Sequence, residues 1–441
     1  MACTSFSIGT SDRRDHPSQT KNIVRNKKGN SVQFDIFCEI QRAKPWGKDH
    51  ERTLILDTID EARAAERAGF STWWQVEHHG TPEFSHSSAP ELLLAAIALR
   101  TQRLRVGHAG VLAPFRINGP WRVAERAATL DILSDGRFEL GLAKSGGKEF
   151  ETFGVDPQTA RDELREALMA IPQMWCNDTF SWNSPLLQIP ERELIPKPLQ
   201  KPHPRLWQTA TSLEAFRMAG ELGVGVLGSV LFGPLDYLKQ MIMAYDQAAS
   251  SSTTVAGKTA NRQKAFFAFT HVAESRKEAI KSGAALSSLW YVHVAPIAFK
   301  VPRKVMWDII RQGLNPQLAR QQLDQRPPSA ADPTDFADDP NEVPIIALLK
   351  RMARGEKVSF EEAHETLEPL DSILIGDPDH CLRKMRQFAE IGTDRLMCLM
   401  QFGHLAHEDI LRSIRLTGDH LIPQFADRED HRPNWFGFGD N

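Results

Sequence analysis

Cysteine is scarce in this chain and unpaired in its spacing. Five cysteines are spread over 441 residues, at positions 3, 38, 176, 381 and 398. None belongs to a Cys-x-x-Cys arrangement, so the pattern predicts neither a disulfide framework nor a zinc site. Unpaired thiols are typical of a reducing compartment, and we therefore expect a cytoplasmic protein.

Long apolar runs and an excess of one charge are also absent from the sequence. No stretch approaches the ~20 apolar residues that a membrane-spanning helix needs. The 53 basic and 56 acidic residues leave a net charge of −3, which gives no reason to expect nucleic acid or an anionic membrane as a partner. Residues 1–31 are polar and basic, and we interpret them as a disordered arm rather than a secretory signal. Residues 426–441 are interpreted as a loose tail.

The chain does contain a repeated alternation of strand and helix patterns. Eight short runs of apolar or small residues predict strands, with helical spacing of apolar residues between them. The predicted strands are 34–40, 72–77, 104–112, 137–143, 206–210, 224–230, 265–272 and 395–400. Eight parallel strands indicate a closed (β/α)8 barrel, the TIM-barrel fold. The alternative is an open doubly wound sheet, which is disfavoured because no Gly-x-Gly-x-x-Gly follows the first strand.

One long excursion interrupts this alternation, between the seventh and eighth strands. Residues 279–370 contain helical patterns, and the proline-rich stretch 326–344 is expected to be either disordered or a mobile lid. A second proline-rich stretch, 185–204, is expected to hold a short hairpin. We therefore predict one barrel domain over residues 32–425, with a helical insertion at about 279–370.

The helix after this insertion has clear boundaries in the sequence. Asp377 is suited to be its N-cap, and Pro378 takes the first helical position. Gly392 is the expected stop, and a last helix is expected at about 408–421.

The second strand ends in three titratable side chains. Barrel enzymes place their reactive groups at the carboxyl ends of the strands, and Glu77, His78 and His79 fall there. One histidine could act as an acid–base catalyst or hydrogen-bond donor, oriented by Glu77 or a backbone group. The alternatives are a core histidine beside a surface one, or a metal site. A metal is disfavoured because neighbouring strand residues point to opposite faces.

The fourth and fifth strands end in residues suited to an anion. Ser212 begins a helix, whose free N–H groups and dipole favour a phosphate. Lys144, close to Gly146 and Gly147, adds positive charge and a backbone that can approach a ligand. The alternative is that Ser212 is only an N-cap and Lys144 a solvated loop lysine.

In order and spacing, several motifs together resemble those of the bacterial luciferase-like flavin monooxygenases. The resemblance covers about residues 34–425, and its tail is similar to members found in natural-product gene clusters. The motifs are Glu77-His78-His79, the run 135–142, Phe153-Gly154, Pro202-His203-Pro204, Ala210-Thr211-Ser212, and residues 375–378 through 422–423.

The resemblance implies an activity and its partners. It implies a (β/α)8 barrel that binds reduced FMN (FMNH2), activates O2 as a flavin C4a-hydroperoxide and oxygenates a small organic substrate. A separate NAD(P)H:flavin reductase and a homodimer are the expected partners. The alternatives are an F420-dependent hydride-transfer oxidoreductase, which shares the barrel, and a non-catalytic flavin-binding or subunit-partner protein.

The resemblance also implies roles for individual residues. His78 is the expected catalytic histidine, with Glu77 beside it. Lys144 takes the place of an arginine on the flavin phosphate, where it can serve as a point charge but not as a bidentate fork. Ala143 stands where luciferases have a reactive cysteine near the flavin, which argues against light emission. The residues expected to bind the cofactor are Ala143, Lys144, Ser145, Thr211 and Ser212.

Overall fold

Eight parallel strands close into a barrel in the computed structural model, which describes residues 32–229, 231–314, 336–338 and 340–425. The strands are β1 (Gln33–Cys38), β2 (Thr72–Gln75), β3 (Arg105–Leu112), β4 (Phe138–Ala143), β5 (Phe180–Asn183), β6 (Gln188–Arg192), β7 (Arg205–Ala210), β8 (Gly225–Ser229), β9 (Lys264–Val272), β10 (Leu374–Gly376) and β11 (Arg395–Leu399). β5 and β6 form an antiparallel hairpin, and β10 pairs along β9. The other eight form the ring, which closes where β11 pairs with β1 and β8 with β9.

The helices lie between these strands along the chain. They are α1 (His50–Ala68), α2 (Pro90–Ala98), α3 (Pro120–Leu133), α4 (Gly147–Phe153), α5 (Ala160–Cys176), α6 (Leu213–Leu222), α7 (Leu235–Ser251), α8 (Arg276–Lys281), α9 (Ala284–Phe299), α10 (Arg303–Leu314), α11 (Pro344–Ala353), α12 (Phe360–Leu367), α13 (Pro378–Glu390) and α14 (His407–Leu416). A π-helical turn, Thr417–Leu421, and a short 3-10 turn, Ile422–Gln424, follow. Within the described ranges, no helix combines the length and the apolar character needed to cross a bilayer.

The predicted (β/α)8 fold and its helical insertion are confirmed. Each barrel strand begins and ends within two residues of its predicted bounds, although Val230, predicted to end the sixth strand, lies outside the described residues. α8 to α12 occupy the segment between β9 and β10. Most of the stretch 326–344, predicted to be disordered or a lid, lies outside the described residues, as do the predicted arm 1–31 and tail 426–441.

Three local predictions can be compared with the structure in detail. The capped helix is confirmed, because Asp377 accepts a hydrogen bond from the backbone N of His380 at 2.8 Å at the start of α13. The predicted hairpin begins earlier than expected, at Phe180. The last α-helix ends at Leu416 rather than at 421, because the chain widens there into the π-helical turn.

The amino-terminal end of the barrel is filled by a buried ion cluster. Arg395 donates hydrogen bonds from Nε and Nη2 to the two carboxylate oxygens of Asp35, at 2.8 and 3.0 Å. Its Nη1 lies 3.5 Å from Glu139 Oε1. Trp74 and Trp207 donate their indole N–H groups to Asp35 and Glu139, at 2.9 and 2.7 Å. Buried charges are tolerated when they are paired and hydrogen-bonded in this way, so the cluster joins five strands without leaving an isolated ion.

Large rings occupy the interior above this cluster. Trp74 and Trp207 meet edge to face at 5.3 Å between ring centroids, and Phe37 stacks on Phe267 at 4.5 Å. Gly107 on β3 makes room for them, because a Cβ there would lie 2.2 Å from the Trp74 ring. The barrel is therefore a packed core, and a ligand can enter only at its carboxyl end.

Helix α9 of the insertion lies across that carboxyl end. Its Tyr291 donates a hydrogen bond to Glu39, just after β1, at 3.1 Å. Near its start, Ser287 accepts a hydrogen bond from the backbone N of His404 at 3.3 Å. Near its end, the backbone of Phe299 packs on Gly147, which has φ +57° and whose added Cβ would lie 2.6 Å from it. The insertion therefore contacts the segments that follow β1, β11 and β4.

The two ends of the described chain meet at the opposite face. Gln33 pairs with Arg395 at the start of the parallel strands β1 and β11. The ring of Phe425 packs edge-on against Phe34, with 5.1 Å between centroids. Both ends therefore lie at the amino-terminal end of the barrel.

Candidate active site

The candidate site begins where β2 ends. Val76 extends the pairing beyond the strand by donating its N–H to Cys38 O at 3.3 Å, and Glu77 and His78 follow at the mouth. The backbone N of His78 donates to Ser87 O at 2.9 Å, which fixes the loop. The predicted residues Glu77, His78 and His79 therefore lie at the carboxyl end of the barrel.

His78 lies between two carboxylates. Its Nδ1 is 2.9 Å from Glu149 Oε1, and its Nε2 is 3.5 Å from Glu39 Oε2. Phe84 and Phe299 approach the ring edge to face, with centroid distances of 5.3 and 5.8 Å. Burial alone would lower the pKa of His78, but the Glu149 hydrogen bond and the charges of Glu39 and Glu149 raise it above its ordinary value.

Glu149 is held from three sides. Besides His78, it accepts hydrogen bonds from the backbone N of His79 at 3.0 Å and from the hydroxyl of Ser145. Burial would raise the pKa of Glu149, but these hydrogen bonds and the His78 charge lower it. Glu149 is therefore an ionised group in a fixed position.

Glu39 is the less satisfied of the two carboxylates. Its side chain is almost fully buried, and Oε1 accepts the hydroxyl proton of Tyr291. Oε2 has no hydrogen-bond partner among the described residues and faces His78 Nε2. Burial raises the pKa of Glu39, and the His78 charge acts in the opposite direction.

Glu77 belongs to a separate pair. Its Oε1 lies 3.1 Å from His79 Nε2, and it accepts hydrogen bonds from Leu112 N at 2.9 Å and Asn118 Nδ2 at 2.9 Å. These contacts lower the pKa of Glu77 although burial alone would raise it. The sequence predicted Glu77 or a backbone group as the partner that orients the histidine; for His78 that contact is made by Glu149.

The ends of β4 and β7 lie side by side, because these two strands pair in parallel. Ala143 ends β4, and Ser145 turns the chain after Lys144 with φ 71°. At β7, the Ser212 hydroxyl accepts a hydrogen bond from Ala215 N at 3.3 Å, and Thr211 is exposed beside it. Ser212 is thus an N-cap, which was one of the alternatives drawn from the sequence. It accepts one N–H of the first turn of α6, and other N–H groups of that turn lie at the same edge of the barrel.

Lys144 experiences charges from the beginnings of α5 and α6. Burial lowers the pKa of Lys144, and the Arg161 guanidinium lowers it further, while Glu214 in the first turn of α6 acts in the opposite direction. Arg161 forms an ion pair with Glu214. Close by, Thr209 Oγ1 is buried and has no hydrogen-bond partner among the described residues. A lysine, a helix start and an unsatisfied hydroxyl suit an anionic, hydrogen-bonding ligand.

Sequence reasoning missed three residues of this site: Glu39, Glu149 and Tyr291. Glu39 directly follows β1, so the strand-end rule that found Glu77 would also have identified it. Glu149 lies on α4, a helix of only seven residues that begins with a glycine and has no clear apolar periodicity. Tyr291 is 252 residues from Glu39 in the chain, and no local pattern signals that contact.

No group of three or more metal-ligand side chains occurs within the described ranges. Four of the five cysteines lie in those ranges, and all four are free thiols.

The model of the luciferase-like monooxygenase family matches residues 32–395. The chain belongs to this family. Among its relatives, the oxygenase component of the flavin-dependent trigonelline monooxygenase from Acinetobacter baylyi is 31% identical over 198 residues, covering 44% of this chain and 53% of the relative. The 4-hydroxyprotoasukamycin monooxygenase from Streptomyces nodosus subsp. asukaensis is 30% identical over 259 residues, covering 56% of this chain and 67% of that protein. The luciferase-like chain thus spans about half to two thirds of the curated relatives that it matches.

Solved structures show the same fold at lower identity. Monooxygenase RslO1 from Streptomyces bottropensis has a TM-score of 0.65 and 20% identity. A second structure has a TM-score of 0.62 and 18% identity: the oxygenating constituent of 3,6-diketocamphane monooxygenase from Pseudomonas putida, a type II Baeyer–Villiger monooxygenase in complex with FMN. The F420-dependent tetrahydromethanopterin reductase from Methanopyrus kandleri has a TM-score of 0.62 and 16% identity. Each match covers 90% of this luciferase-like chain and 100% of the other.

Proposed function

We propose that the protein is an FMNH2-dependent monooxygenase that uses O2 to oxygenate a small organic substrate. The observation that carries this proposal is the position of the segment 144–149, which follows β4 between the start of α6 and His78. Lys144, at one end, experiences the charges of Arg161 on α5 and of Glu214 at the start of α6. Glu149, at the other end, holds His78 and is itself held by the hydroxyl of Ser145. The segment thus connects an anion-suited edge with a buried acid–base group at the mouth of a luciferase-like barrel.

The residues present fit a flavin mononucleotide. Lys144, Ser145, Thr211 and Ser212 would hold its phosphate, with the free N–H groups at the start of α6. Thr209 offers a further hydroxyl that lacks a partner among the described residues. The bound reduced flavin supplies the electrons and reacts with O2, so that one oxygen atom goes to the substrate and the other leaves as water. Ala143 brings no thiol to this position.

The protein's own task is to position the reactants and exclude water. α9 crosses the mouth and contains no Asp, Glu, Lys or Arg in its 16 residues. Phe84 and Phe299 shield His78. A dry site limits the wasteful release of H2O2, so we infer that the insertion acts as the cover of the site. His78 is the proposed acid–base or hydrogen-bonding group toward the reacting atoms.

The proposal includes two partners and a compartment. The A. baylyi relative is named as an oxygenase component, and we infer that an NAD(P)H:flavin reductase likewise supplies FMNH2 here. Leu92 on α2 and Leu99 at its C-cap are 72% and 67% exposed, and Ile132 and Leu133 on the neighbouring α3 are each 41% exposed. Apolar side chains gathered on adjacent helices are typical of a subunit interface, so we propose a homodimer through α2 and α3. We expect it in the cytoplasm.

Stopped-flow absorbance tests the function. The protein is loaded anaerobically with FMNH2 and mixed with oxygenated buffer. We expect a transient spectrum, distinct from reduced and oxidised flavin, that outlives the one formed by free FMNH2. Direct reoxidation at the rate of free flavin would overturn the proposal. Turnover with reduced F420 under anaerobic conditions would then indicate hydride transfer, whereas its absence would indicate a non-catalytic flavin-binding or partner protein.

A further inference from the structure

Both ring nitrogens of His78 face carboxylate oxygens. Nδ1 faces Glu149 Oε1 at 2.9 Å, and Nε2 faces Glu39 Oε2 at 3.5 Å. The two carboxylates come from separate parts of the fold, one from α4 and the other from the end of β1. The backbone N–H of His78 donates to Ser87 O, which fixes the position from which the ring extends.

This geometry bears on the proton content of the ring. A neutral imidazole has one N–H donor and one lone pair, whereas the charged form has two donors. A lone pair that faces a carboxylate oxygen is repelled by it, and an N–H is attracted. With an ionised carboxylate facing each nitrogen, only the doubly protonated ring presents an N–H to both of them.

The remaining charged groups around His78 favour the same state. The groups that raise the pKa of His78 against its burial are Glu149, Glu39 and its chain neighbour Glu77. Glu77 is itself engaged with His79. From α9, Tyr291 acts through Glu39, because its hydroxyl donates to Oε1 and so favours the ionised carboxylate.

We propose that Glu149 and Glu39 are positioning residues that hold His78 by its two nitrogens as a charged hydrogen-bond donor, and that α9 completes this arrangement through Tyr291. The reaction that His78 serves rests on the proposed function. The charge state of its ring does not. A charged donor at the mouth stabilises negative charge that develops on an oxygen atom during transfer. A neutral base would instead remove a proton from the substrate.

Two features indicate that a ligand interacts with His78 at Nε2, the nitrogen that faces Glu39. The contact of His78 with Glu39 is longer than that with Glu149, and Glu39 Oε2 has no hydrogen-bond partner among the described residues. Glu149 is anchored by Ser145 and by the backbone of His79, so its contact is the fixed one. The Nε2 proton is therefore the one that can be redirected to a bound oxygen atom, with the ring still attached through Nδ1.

The test is a titration of His78 by NMR in the full-length protein labelled with ¹³C-histidine, without flavin. The signal is assigned by its loss in His78→Gln. We expect a midpoint above the ordinary histidine value of about 6.5. In Glu149→Gln the midpoint should fall by about one pH unit or more, since an opposite charge in contact shifts a pKa by roughly 1–3 units. Glu39→Gln and Tyr291→Phe should lower it in the same direction, Tyr291→Phe the least.

The matched control is Glu151→Gln, on the same helix α4. Glu151 pairs with Lys300 at the surface and does not contact His78. Its replacement should leave the midpoint unchanged, and thermal unfolding verifies that each variant is folded. Should Glu149→Gln not fold, Glu39→Gln decides the question from the other nitrogen.

A wild-type midpoint at or below the ordinary histidine value would overturn the inference. So would a folded Glu149→Gln or Glu39→Gln protein whose His78 midpoint equals that of Glu151→Gln. A second readout is the pH dependence of the lifetime of the stopped-flow transient, whose profile should move to lower pH in Glu149→Gln by the same interval. Because the NMR titration needs neither flavin nor O2, loss of the transient in every protein would refute the proposed function and leave this inference standing.

Discussion

Glu77 is paired with His79 and not with His78, although both histidines follow it directly in the chain. The distance from Glu77 Oε1 to His79 Nε2 is 3.1 Å. The same carboxylate accepts the N–H of Leu112 at the end of β3 and the amide of Asn118 in the following loop. The end of β2 therefore carries two carboxylate–histidine pairs. The Glu77–His79 pair connects β2 to the end of β3, and the Glu149–His78 pair lies at the mouth of the barrel.

We expect Glu77→Ala to destabilise the protein by about 3 kcal/mol, because buried hydrogen-bond donors that lose their acceptor cost roughly 1–3 kcal/mol each. The donors concerned are Leu112 N and Asn118 Nδ2. Urea unfolding measures the loss as a lower midpoint, with Glu151→Ala as the exposed control. Equal midpoints for the two variants would contradict a stabilising role of the Glu77 hydrogen bonds.

His78→Gln should retain flavin binding while shortening the lifetime of the oxygen-dependent transient and increasing H2O2 release. The variant keeps a polar side chain but cannot hold a charge beside Glu149. We expect an effect of about a hundredfold or more, because general acid–base groups contribute roughly 10²–10⁴-fold. FMN titration and a peroxide assay provide the two measurements, and an unchanged peroxide yield would be inconsistent with a role in oxygen transfer.

Lys144→Ala should weaken FMN binding by about tenfold or more, since hydrogen bonds to charged groups contribute roughly 1.5–3 kcal/mol. Riboflavin, which lacks the phosphate, should bind wild type and variant equally. Fluorescence titrations with both ligands isolate the phosphate contribution, and Lys239→Ala on the outer surface of α7 serves as the charge control. A parallel loss of riboflavin affinity would place Lys144 elsewhere than at the phosphate.

The buried cluster at the bottom of the barrel should make stability depend on pH. Burial alone would raise the pKa of Glu139, but Arg105, Arg395 and Arg205 lower it from 4.5 to about 2. Its contribution, on the order of 3 kcal/mol, is therefore fully present above about pH 4.5 and is lost as the pH falls toward 2. Glu139→Gln should flatten the decline in thermal stability over this interval, and a variant curve parallel to that of wild type would show that other groups cause it.

The proposed interface on α2 can be tested by charge. Leu92→Asp combined with Leu99→Asp should shift the protein from dimer to monomer in sedimentation velocity, because two carboxylates would have to be desolvated at the contact. Met243→Asp, on the similarly exposed face of α7, should leave the dimer intact. A dimer that persists in the α2 double variant would assign the interface to another face.

The barrel was predictable because its determinants are local. Each barrel strand is a short run of buried residues, and α1, for example, is stopped by Gly69 with φ 91° immediately before the next strand begins. The start of α13 was predictable for the same reason, since an Asp-Pro pair caps and begins a helix by itself. The fold class therefore followed from patterns a few residues long.

The candidate site was only half predictable, because its remaining half depends on contacts distant in sequence. His78 could be singled out at a strand end, yet its partner Glu149 lies 71 residues further along. α4 was missed because Gly146 and Gly147 weaken its start. Tyr291 meets Glu39 only after the insertion has folded over the mouth. Strand ends can be predicted from local sequence, whereas the side chains that surround them depend on tertiary packing.

The packing of Phe34 against Phe425 has a practical consequence. The described chain begins and ends on the face of the barrel opposite the mouth, with the two rings in contact. An affinity tag or a tether to a solid support attached directly at residue 32 or residue 425 would leave from that face and hold the barrel with its mouth turned outward. The same proximity makes the range 32–425 suited to circular permutation, because a short peptide could join residues 32 and 425 and new termini could be opened in an exposed helix–strand loop.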